Sequence, residues 1–282
     1  MPVIKEFMPP QKILVTFSTR AFWIRQQFLN ISAISNGIVN RTEQWTPTRL
    51  SEVGFHNANP DISLKERGAG FWSWKPFIIE HALNHANDGD VIFYSDVGRM
   101  KVLLLRTSLD PFIEWMDREK QDCIPGVVAP WHGPISKWAR ADTLDHFGCT
   151  EPSCHQSPQM QASFSVWRKT PEIMSFVTEW KNCCFNRTLV SDDANPSGQN
   201  NLPNFMIQYG DQTLLSLLTL KKGMKGLQWL NSEIPPFMDK SPEDWLSHMG
   251  GNLNTGAVNK LIHALSRLYV FLEYFFRQSK VS

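Results

Sequence analysis

Two short segments of the chain concentrate side chains that could do chemistry. Residues 67–76 read RGAGFWSWKP, so an arginine, a lysine, two glycines and three aromatic rings fall just ahead of a helical pattern. Residues 90–99 read DVIFYSDVGR, an apolar run that ends in a serine and an aspartate. Glycines let a backbone approach a ligand closely, and a helix N-terminus flanked by basic side chains suits a phosphate or pyrophosphate. The first segment is therefore typical of an anion-binding site.

Within the first segment we expect Arg67 and Lys75 to neutralise a diphosphate and Gly70 to let the backbone approach it. Trp72 and Trp74 alternate in what reads as an extended stretch, so both rings point the same way and form one wall of a site. In the alternative interpretation both tryptophans belong to the core, and Lys75 extends past them to solvent.

Carboxylates and amides elsewhere complete the candidate set. Asp96 follows a buried strand, where ligands bind in open α/β sheets, so it suits a ribose hydroxyl or a metal ion. Asp211 begins a helical stretch whose macrodipole favours a charged carboxylate. Either aspartate is alternatively only an N-cap. Gln159 and Gln161 alternate with apolar residues on a strand. We expect one of the two, Gln161, to hydrogen-bond a sugar hydroxyl while the other faces away.

The elements that must position these residues follow an α/β pattern. Continuous apolar runs between polar turns predict buried strands, and helical spacing separates them. This order indicates a parallel or mixed sheet with helices on both sides. The predicted strands are 12–17, 90–94, 126–129 and 162–167, and the predicted helices are 21–34, 76–86, 171–184 and 211–222. Residues 186–204 are rich in Asn, Asp, Ser, Gly and Pro and read as a long surface loop.

Composition excludes several classes of protein. The chain has 282 residues, with 28 Lys plus Arg against 27 Asp plus Glu, so it lacks the basic surplus of a nucleic-acid-binding protein. Its 11 Trp, 18 Phe and 4 Tyr serve either as core or as stacking surfaces for sugars and bases. Neither a signal-peptide pattern nor an apolar run of spanning length is evident, which predicts a cytoplasmic protein.

The cysteines predict reduced thiols. Their odd number argues against a disulfide framework, and they lack the paired spacing that makes a zinc site convincing. They are Cys123, Cys149, Cys154, Cys183 and Cys184.

Residues 258–277 carry apolar side chains at helical spacing, with Lys260, Arg267 and Arg277 among them. Two interpretations stay open for this amphipathic segment: a helix packed on the domain, or a basic helix lying in a membrane interface.

The two chemical segments together resemble a known group of enzymes. The string RGAGFWSWKPFIIEHAL, followed by DGDVIFYSDVGRM, is similar to the RGxGYWxWKP and YxDaG pattern of GT-A-type nucleotide-sugar glycosyltransferases from polysaccharide and viral glycan clusters. Later blocks are similar to that group in the same order. They lie at residues 136–146, 159–169, 176–184 and 209–218.

The resemblance implies a GT-A-like fold over residues 1–230 and a C-terminal helical extension over 231–282. It implies transfer of a sugar from a nucleotide-diphosphate donor to a glycan hydroxyl, with retention favoured over inversion. Asp96 matches the acid that contacts the donor ribose and often a Mn²⁺ or Mg²⁺ ion. Asp211 and Gln212 match a pair beside the donor sugar, where Gln161 is also expected. Thr16 and Gly98 complete the donor site, with Gly98 in the place of a second acid.

Two other classes of function stay open at this point. A non-catalytic carbohydrate- or nucleotide-binding protein on the same fold would explain the aromatic surplus. A membrane-peripheral scaffold would use the segment 258–277.

Overall fold

The structure is a computed structural model that describes residues 9–97, 108–128 and 130–228. Short 3₁₀ turns cover Arg20–Phe22, Pro130–His132 and Ile135–Lys137. The helices and strands, in chain order, are β1 (Lys12–Phe17), α1 (Trp23–Ser35), β2 (Arg41–Trp45), α2 (Pro47–Glu52), α3 (Phe55–Ala58), α4 (Arg67–Phe71), α5 (Trp74–Asn84), β3 (Val91–Asp96), α6 (Asp110–Glu119), β4 (Cys123–Ile124), β5 (Val127–Val128), α7 (Ala141–His146), α8 (Pro152–His155), β6 (Met160–Gln161), β7 (Phe164–Arg168), α9 (Pro171–Phe185), α10 (Arg187–Val190), α11 (Gly210–Lys221) and β8 (Leu227–Gln228).

The main sheet is open and mixed, in the strand order β2-β1-β3-β7-β4. Strand β1 pairs in parallel with both β2 and β3, whereas β7 runs antiparallel to β3 and β4. A second, smaller sheet has the order β6-β5-β8. Because β1 and β3 are parallel neighbours, their carboxyl ends meet at one edge, with Phe17 directly opposite Asp96. This edge is where ligands bind in open α/β sheets.

The alternation of side chains along β1 and β3 divides the interior into two hydrophobic cores. Val15 and Tyr94 point to the face covered by α5, α9 and α11. Leu14 and Phe93 point to the opposite face, which α1 and α6 cover. Leu227 of β8 belongs to this second core too, so the described chain ends on the face that carries α1.

A buried amide ties helix α1 to the two strands beneath it. The Gln26 Nε2 atom donates to the backbone oxygens of Thr16 and Trp45 at 3.1 and 3.0 Å, and Gln26 Oε1 accepts from Ser18 Oγ at 2.8 Å. The Thr16 hydroxyl also accepts from Asn30 Nδ2 at 2.9 Å. These bonds hold the segment after β1, where the chain turns toward the sheet edge.

The fold class predicted from the sequence is confirmed as a mixed open sheet flanked by helices. The four predicted helices form, and the Thr170 side chain caps α9 by accepting from the backbone N–H of Ile173. The strand predicted over 162–167 begins two residues later, and the one over 126–129 lies in the small sheet, with Ala129 outside the described residues. Strands β2 and β4 were missed, because β2 reads RTEQW and β4 is only two residues long.

The prediction that all five cysteines are reduced is wrong for one pair. The short helix α8 turns the chain so that Cys154 comes back to Cys149, and the two form a disulfide with their Cα atoms 5.5 Å apart. This is the ordinary separation for such a bond. Cys123 and Cys184 are buried thiols, and Cys183 is partly buried.

Two further expectations concern membranes. Among the described helices, none combines the length and apolar character needed to cross a bilayer. The amphipathic segment 258–277, and with it the whole predicted extension over 231–282, lies outside the described residues.

We expect Gln26→Leu to lower the free energy of unfolding by about 2–4 kcal/mol, because several buried backbone and hydroxyl groups would lose their partner. Chemical denaturation measures this loss. Gln27→Leu is the matched control at the next residue, since its amide is half-buried and donates one hydrogen bond within the described part of the chain, to Gln44 Oε1 at 2.7 Å. Similar losses in the two variants would contradict the role given to Gln26.

Candidate active site

A cavity of about 400 Å³ opens at the sheet edge where β1 and β3 end. Its size is typical of small-molecule sites. The lining comes from the ends of both strands, from the segment before α5, from the β6–β7 turn and from the start of α11. The lining residues are Phe17, Ser18, Thr19, Phe22, Gly68, Ala69, Trp72, Trp74, Lys75, Asp96, Val97, His132, Gln161, Ser163, Tyr209, Asp211 and Gln212.

One side of the cavity is built by a left-handed turn of the backbone. Five consecutive residues, from Gly68 to Trp72, have positive φ angles between 55° and 90°. Three of them are not glycine, and for such residues this conformation costs about 1–2 kcal/mol each. Strained backbone of this kind persists only where its surroundings hold it, and it concentrates at functional sites. Here the Trp74 indole N–H donates to the Gly68 carbonyl at 3.0 Å and closes the turn.

The turn presents Trp72 as an aromatic wall. Its indole lies nearly parallel to the Tyr209 ring, with centroids 5.9 Å apart, and the Arg67 guanidinium lies 5.2 Å from the Trp72 ring centroid. Gly68 faces the same indole so closely that a Cβ atom there would come within 2.4 Å of it. Trp74, by contrast, is buried and stacks on Phe17. Trp72 is therefore the indole available to a ligand.

A buried ammonium group lies at the inner end of the cavity. Lys75 is 3% exposed, and its Nζ atom lies 2.9 Å from Asp211 Oδ2 and 3.8 Å from Asp96 Oδ1. It also donates to the carbonyl of Ala162 at 3.0 Å. The three charged groups come from α5, α11 and β3, so the cluster joins three elements.

The cluster changes the acidity of its members. Burial raises the pKa of Asp211 to about 6, although the ammonium of Lys75 acts to lower it. Burial alone would lower the pKa of Lys75, but Asp211 and Asp96 outweigh it and raise that pKa. The Tyr94 hydroxyl donates to Asp96 Oδ1, and burial together with that carboxylate raises the tyrosine pKa well above its usual value. Asp211 is thus largely ionised at neutral pH, although it is buried.

The Gln212 amide nitrogen and the Ser163 hydroxyl on the wall have no hydrogen-bond partner among the residues that the structure describes. Gln212 Oε1 accepts from the backbone N–H of Ala162 at 3.2 Å, which leaves the Nε2 atom without an acceptor. The hydroxyl of Ser163 is also without a partner. Gln212 and Ser163 are 6% and 7% exposed, and both line the cavity. Buried groups of this kind need a ligand or water to satisfy them.

Seven of the residues predicted from the sequence meet in this cavity: Trp72, Trp74, Lys75, Asp96, Gln161, Asp211 and Gln212. Gln161 lines the cavity, whereas Gln159 lies just before β6, is buried, and donates from its Nε2 atom to the Thr213 hydroxyl at 3.2 Å. Asp211 is not an N-cap, because that position belongs to Tyr209. Asp96 ends β3, and residues 98–107, where a helix capped by Asp96 would continue, lie outside the described residues.

Other predicted residues lie elsewhere. The Arg67 guanidinium pairs with Asp192 at 2.8 Å and donates to the Gln208 carbonyl, behind the Trp72 wall. Thr16 points to the opposite face of the sheet, under α1. Gly70 is buried inside the turn, and Gly98 lies outside the described residues.

One expectation about local structure is wrong, and several lining residues were missed. Trp72 and Trp74 do not alternate along an extended stretch, since the left-handed turn separates the two rings. The missed residues include Ser163, Tyr209 and His132. Tyr209, two residues before Asp211, and Ser163 lie within the blocks 209–218 and 159–169 that carry the resemblance, whereas no sequence pattern marks His132.

The described residues do not fit the divalent ion that the resemblance implies. Mn²⁺ or Mg²⁺ takes several oxygen ligands. The carboxylates among the described lining residues are Asp96 and Asp211, and both already face the ammonium of Lys75. Among the residues that the structure describes, no group of three or more His, Cys, Asp or Glu side chains is placed to hold a metal ion.

Two comparisons of the chain with known proteins found no match. No protein-family model matches the chain, and no curated protein matches it.

Replacing Lys75 by methionine would leave Asp211 buried without its counter-charge. We expect the free energy of unfolding at pH 8 to fall by about 3–5 kcal/mol, measured by urea denaturation. Lys222→Met, which removes an exposed ammonium paired with Glu179 at 2.8 Å, should cost less than about 1 kcal/mol. Adding Asp211→Asn to Lys75→Met should recover part of the loss, and a failure to recover would count against the ion pair.

Gly68→Ala tests whether Trp72 forms the wall. Gly68 and Gly37 have nearly equal φ angles of +65° and +66°, but a Cβ atom at Gly37 would meet nothing within 4 Å. Both alanine variants should lose about 1 kcal/mol for backbone strain. Only Gly68→Ala should lose more, because the Trp72 ring must move. Denaturation of both variants measures the difference, and equal losses would show that Trp72 is not held against this turn.

Proposed function

We propose that the chain is a glycosyltransferase with a GT-A-type fold, which moves a sugar from a nucleotide-diphosphate donor to a hydroxyl of a glycan acceptor. The observation that carries this proposal is the Lys75–Asp211–Asp96 cluster, buried at the carboxyl edge of the sheet beside an aromatic wall. A sugar offers hydroxyls to carboxylates and amides and an apolar face to a ring. A nucleotide offers a base to the same kind of ring.

Each described group has a role in the proposed reaction. Trp72 and Tyr209 form the wall on which a base or sugar ring lies. Asp96 ends β3 at the cavity, in position for a ribose hydroxyl. The free Nε2 of Gln212 and the side chain of Gln161 line the part of the cavity next to Asp211, and they would bind sugar hydroxyls.

The chemistry requires that positive charge develop at the anomeric carbon and negative charge on the leaving diphosphate. The bond from the anomeric carbon to the phosphate oxygen breaks, and its electron pair goes to the diphosphate. A bond to the acceptor oxygen forms, and the acceptor proton passes to the leaving group. An ionised Asp211 stabilises the oxocarbenium-like centre, and Lys75, the one ammonium among the described lining residues, offsets the charge of the diphosphate.

A thermal-shift screen tests donor binding. UDP-, GDP-, CMP- and dTDP-sugars would each be added with and without Mn²⁺. One nucleotide family should stabilise the protein by about 2.7 kcal/mol at 100 times its dissociation constant. Asp96→Asn should abolish the shift, whereas Asp88→Asn, at an exposed position away from the cavity, should keep it. No shift with any donor would remove the basis of the proposal.

Turnover separates an enzyme from a protein that only binds. We expect Asp211→Asn to keep the donor-induced thermal shift while the rate of sugar transfer falls by about 10²-fold or more. A bound donor without measurable transfer in the unchanged protein would instead identify a non-catalytic nucleotide-sugar-binding protein. The anomeric configuration of the product, read by NMR, tests retention.

The raised pKa of Asp211 predicts the pH dependence of the rate. Because the carboxylate is the active form, the rate should rise as pH increases through about 6 and level off above it. At pH 5 about one tenth of the sites would be ionised. A rate that stays flat between pH 5 and 7 would remove Asp211 from the mechanism.

A further inference from the structure

The outward face of helix α1 carries four large exposed apolar side chains, and Gln27 and Ser35 are the polar residues on the same side. Ile31 is 63% exposed, and Trp23, Phe28 and Ile34 are each exposed by more than a third. The residues are spaced so that all four lie on the side of the helix opposite Leu29 and Ala33, which enter the core. A surface helix of a globular protein ordinarily carries charged or polar residues on that side.

This concentration is local to one part of the protein. Nine large apolar side chains are exposed among the described residues, and five of them lie between residues 22 and 34. Arg25 is the single charged residue within α1, and it is buried. The sequence contains no Asp or Glu between residues 9 and 42, and Arg20 lies just before the helix. An apolar surface with a basic residue at one end and no acidic side chains is typical of a protein face that meets an anionic membrane.

The apolar face is continuous with the candidate active site. Phe22 immediately precedes α1, is itself exposed, and lines the cavity. Its neighbour Trp23 is the first residue of the helix. The mouth of the cavity and the apolar face therefore share one edge.

We propose that the outer face of α1 lies in the interfacial layer of a lipid bilayer, so that the cavity opens toward the membrane surface. This inference rests on the proposed function for its consequence: the acceptor that reaches the cavity is an amphiphile, with its glycan hydroxyl in the site and its hydrocarbon part in the bilayer. Aromatic residues at the end nearest the cavity suit the interface, where rings prefer to lie.

The size of the face favours a bilayer over a second copy of the chain. A 13-residue helix is about 20 Å long and about 10 Å wide, on the order of 200 Å² for one face. Stable protein interfaces bury about 800 Å² on each partner. A helix lying in a bilayer needs no complementary surface, because the lipids adapt to it.

The test uses the full chain, phosphatidylcholine vesicles with and without phosphatidylglycerol, and sedimentation. The double variant Ile31→Glu/Ile34→Glu should reduce the partition coefficient for the anionic vesicles by about tenfold or more. The matched control Leu220→Glu changes an exposed apolar residue on α11 and should bind as the unchanged protein does. Absence of binding by the unchanged protein, or binding that the double variant leaves intact, would overturn the proposal.

Two accompanying measurements keep the outcomes distinct. The double variant should keep the nucleotide-sugar thermal shift in solution, since neither isoleucine lines the cavity. If the protein binds vesicles through α1 but no nucleotide-sugar shifts its thermal midpoint, the membrane-binding proposal is supported and the proposed function fails. Analytical ultracentrifugation of the unchanged protein tests a second copy of the chain as the occupant, because a dimer that the double variant dissociates would assign the face to that copy and overturn the proposal.

Discussion

The ammonium of Lys75 is the interaction on which the candidate site depends. It is buried between two carboxylates from different elements, so α5, α11 and β3 can reach their observed positions only together. Any one of these charges alone would be costly to bury, and the pairing makes the arrangement possible. The same pairing leaves Asp211 with a raised pKa but largely ionised near neutral pH. Stability and chemistry are therefore properties of one cluster.

The backbone next to that cluster is also tightly constrained. The left-handed turn before α5 is closed by the Trp74 indole, and it places Trp72 against Tyr209 at the cavity wall. Gly210, at the start of α11, passes so close to the Phe71 carbonyl that a Cβ atom there would come within 2.7 Å. The turn and the helix that carries Asp211 thus fit together through a glycine. This contact fixes the position of the aromatic wall relative to the Asp211 carboxylate.

Strand β1 connects the cavity with the surface helix α1. One face of β1 enters the core beneath the cavity, while the other supports α1 by way of Gln26 and Thr16. The segment that leaves β1 supplies Phe22 to the cavity mouth and then becomes the helix with the apolar outer face. The cavity and the apolar outer face of α1 are in this way held by the same strand.

The sequence by itself determined the fold class, the four longest of the described helices and the long buried strands, because long apolar runs and helical spacing are local properties of the chain. It also determined the residues of the charged cluster, since Lys75, Asp96 and Asp211 each lie at the end of a recognisable element. The sequence did not predict β2, which is polar, or β4, which is two residues long. Both form strands because they pair with a neighbouring strand, and their composition does not show this.

Only the tertiary structure decided how these residues are used. Lys75 is directed inward to Asp211, and Arg67 outward to Asp192, although both belong to one motif. Five positive φ angles turned a stretch that reads as extended into a left-handed turn. The Cys149–Cys154 disulfide depended on a short helix that brings the two residues together. The two ion pairs depend on contacts between residues far apart in the chain, whereas the turn and the disulfide depend on local backbone angles and short-range contacts. Residue spacing alone encodes neither.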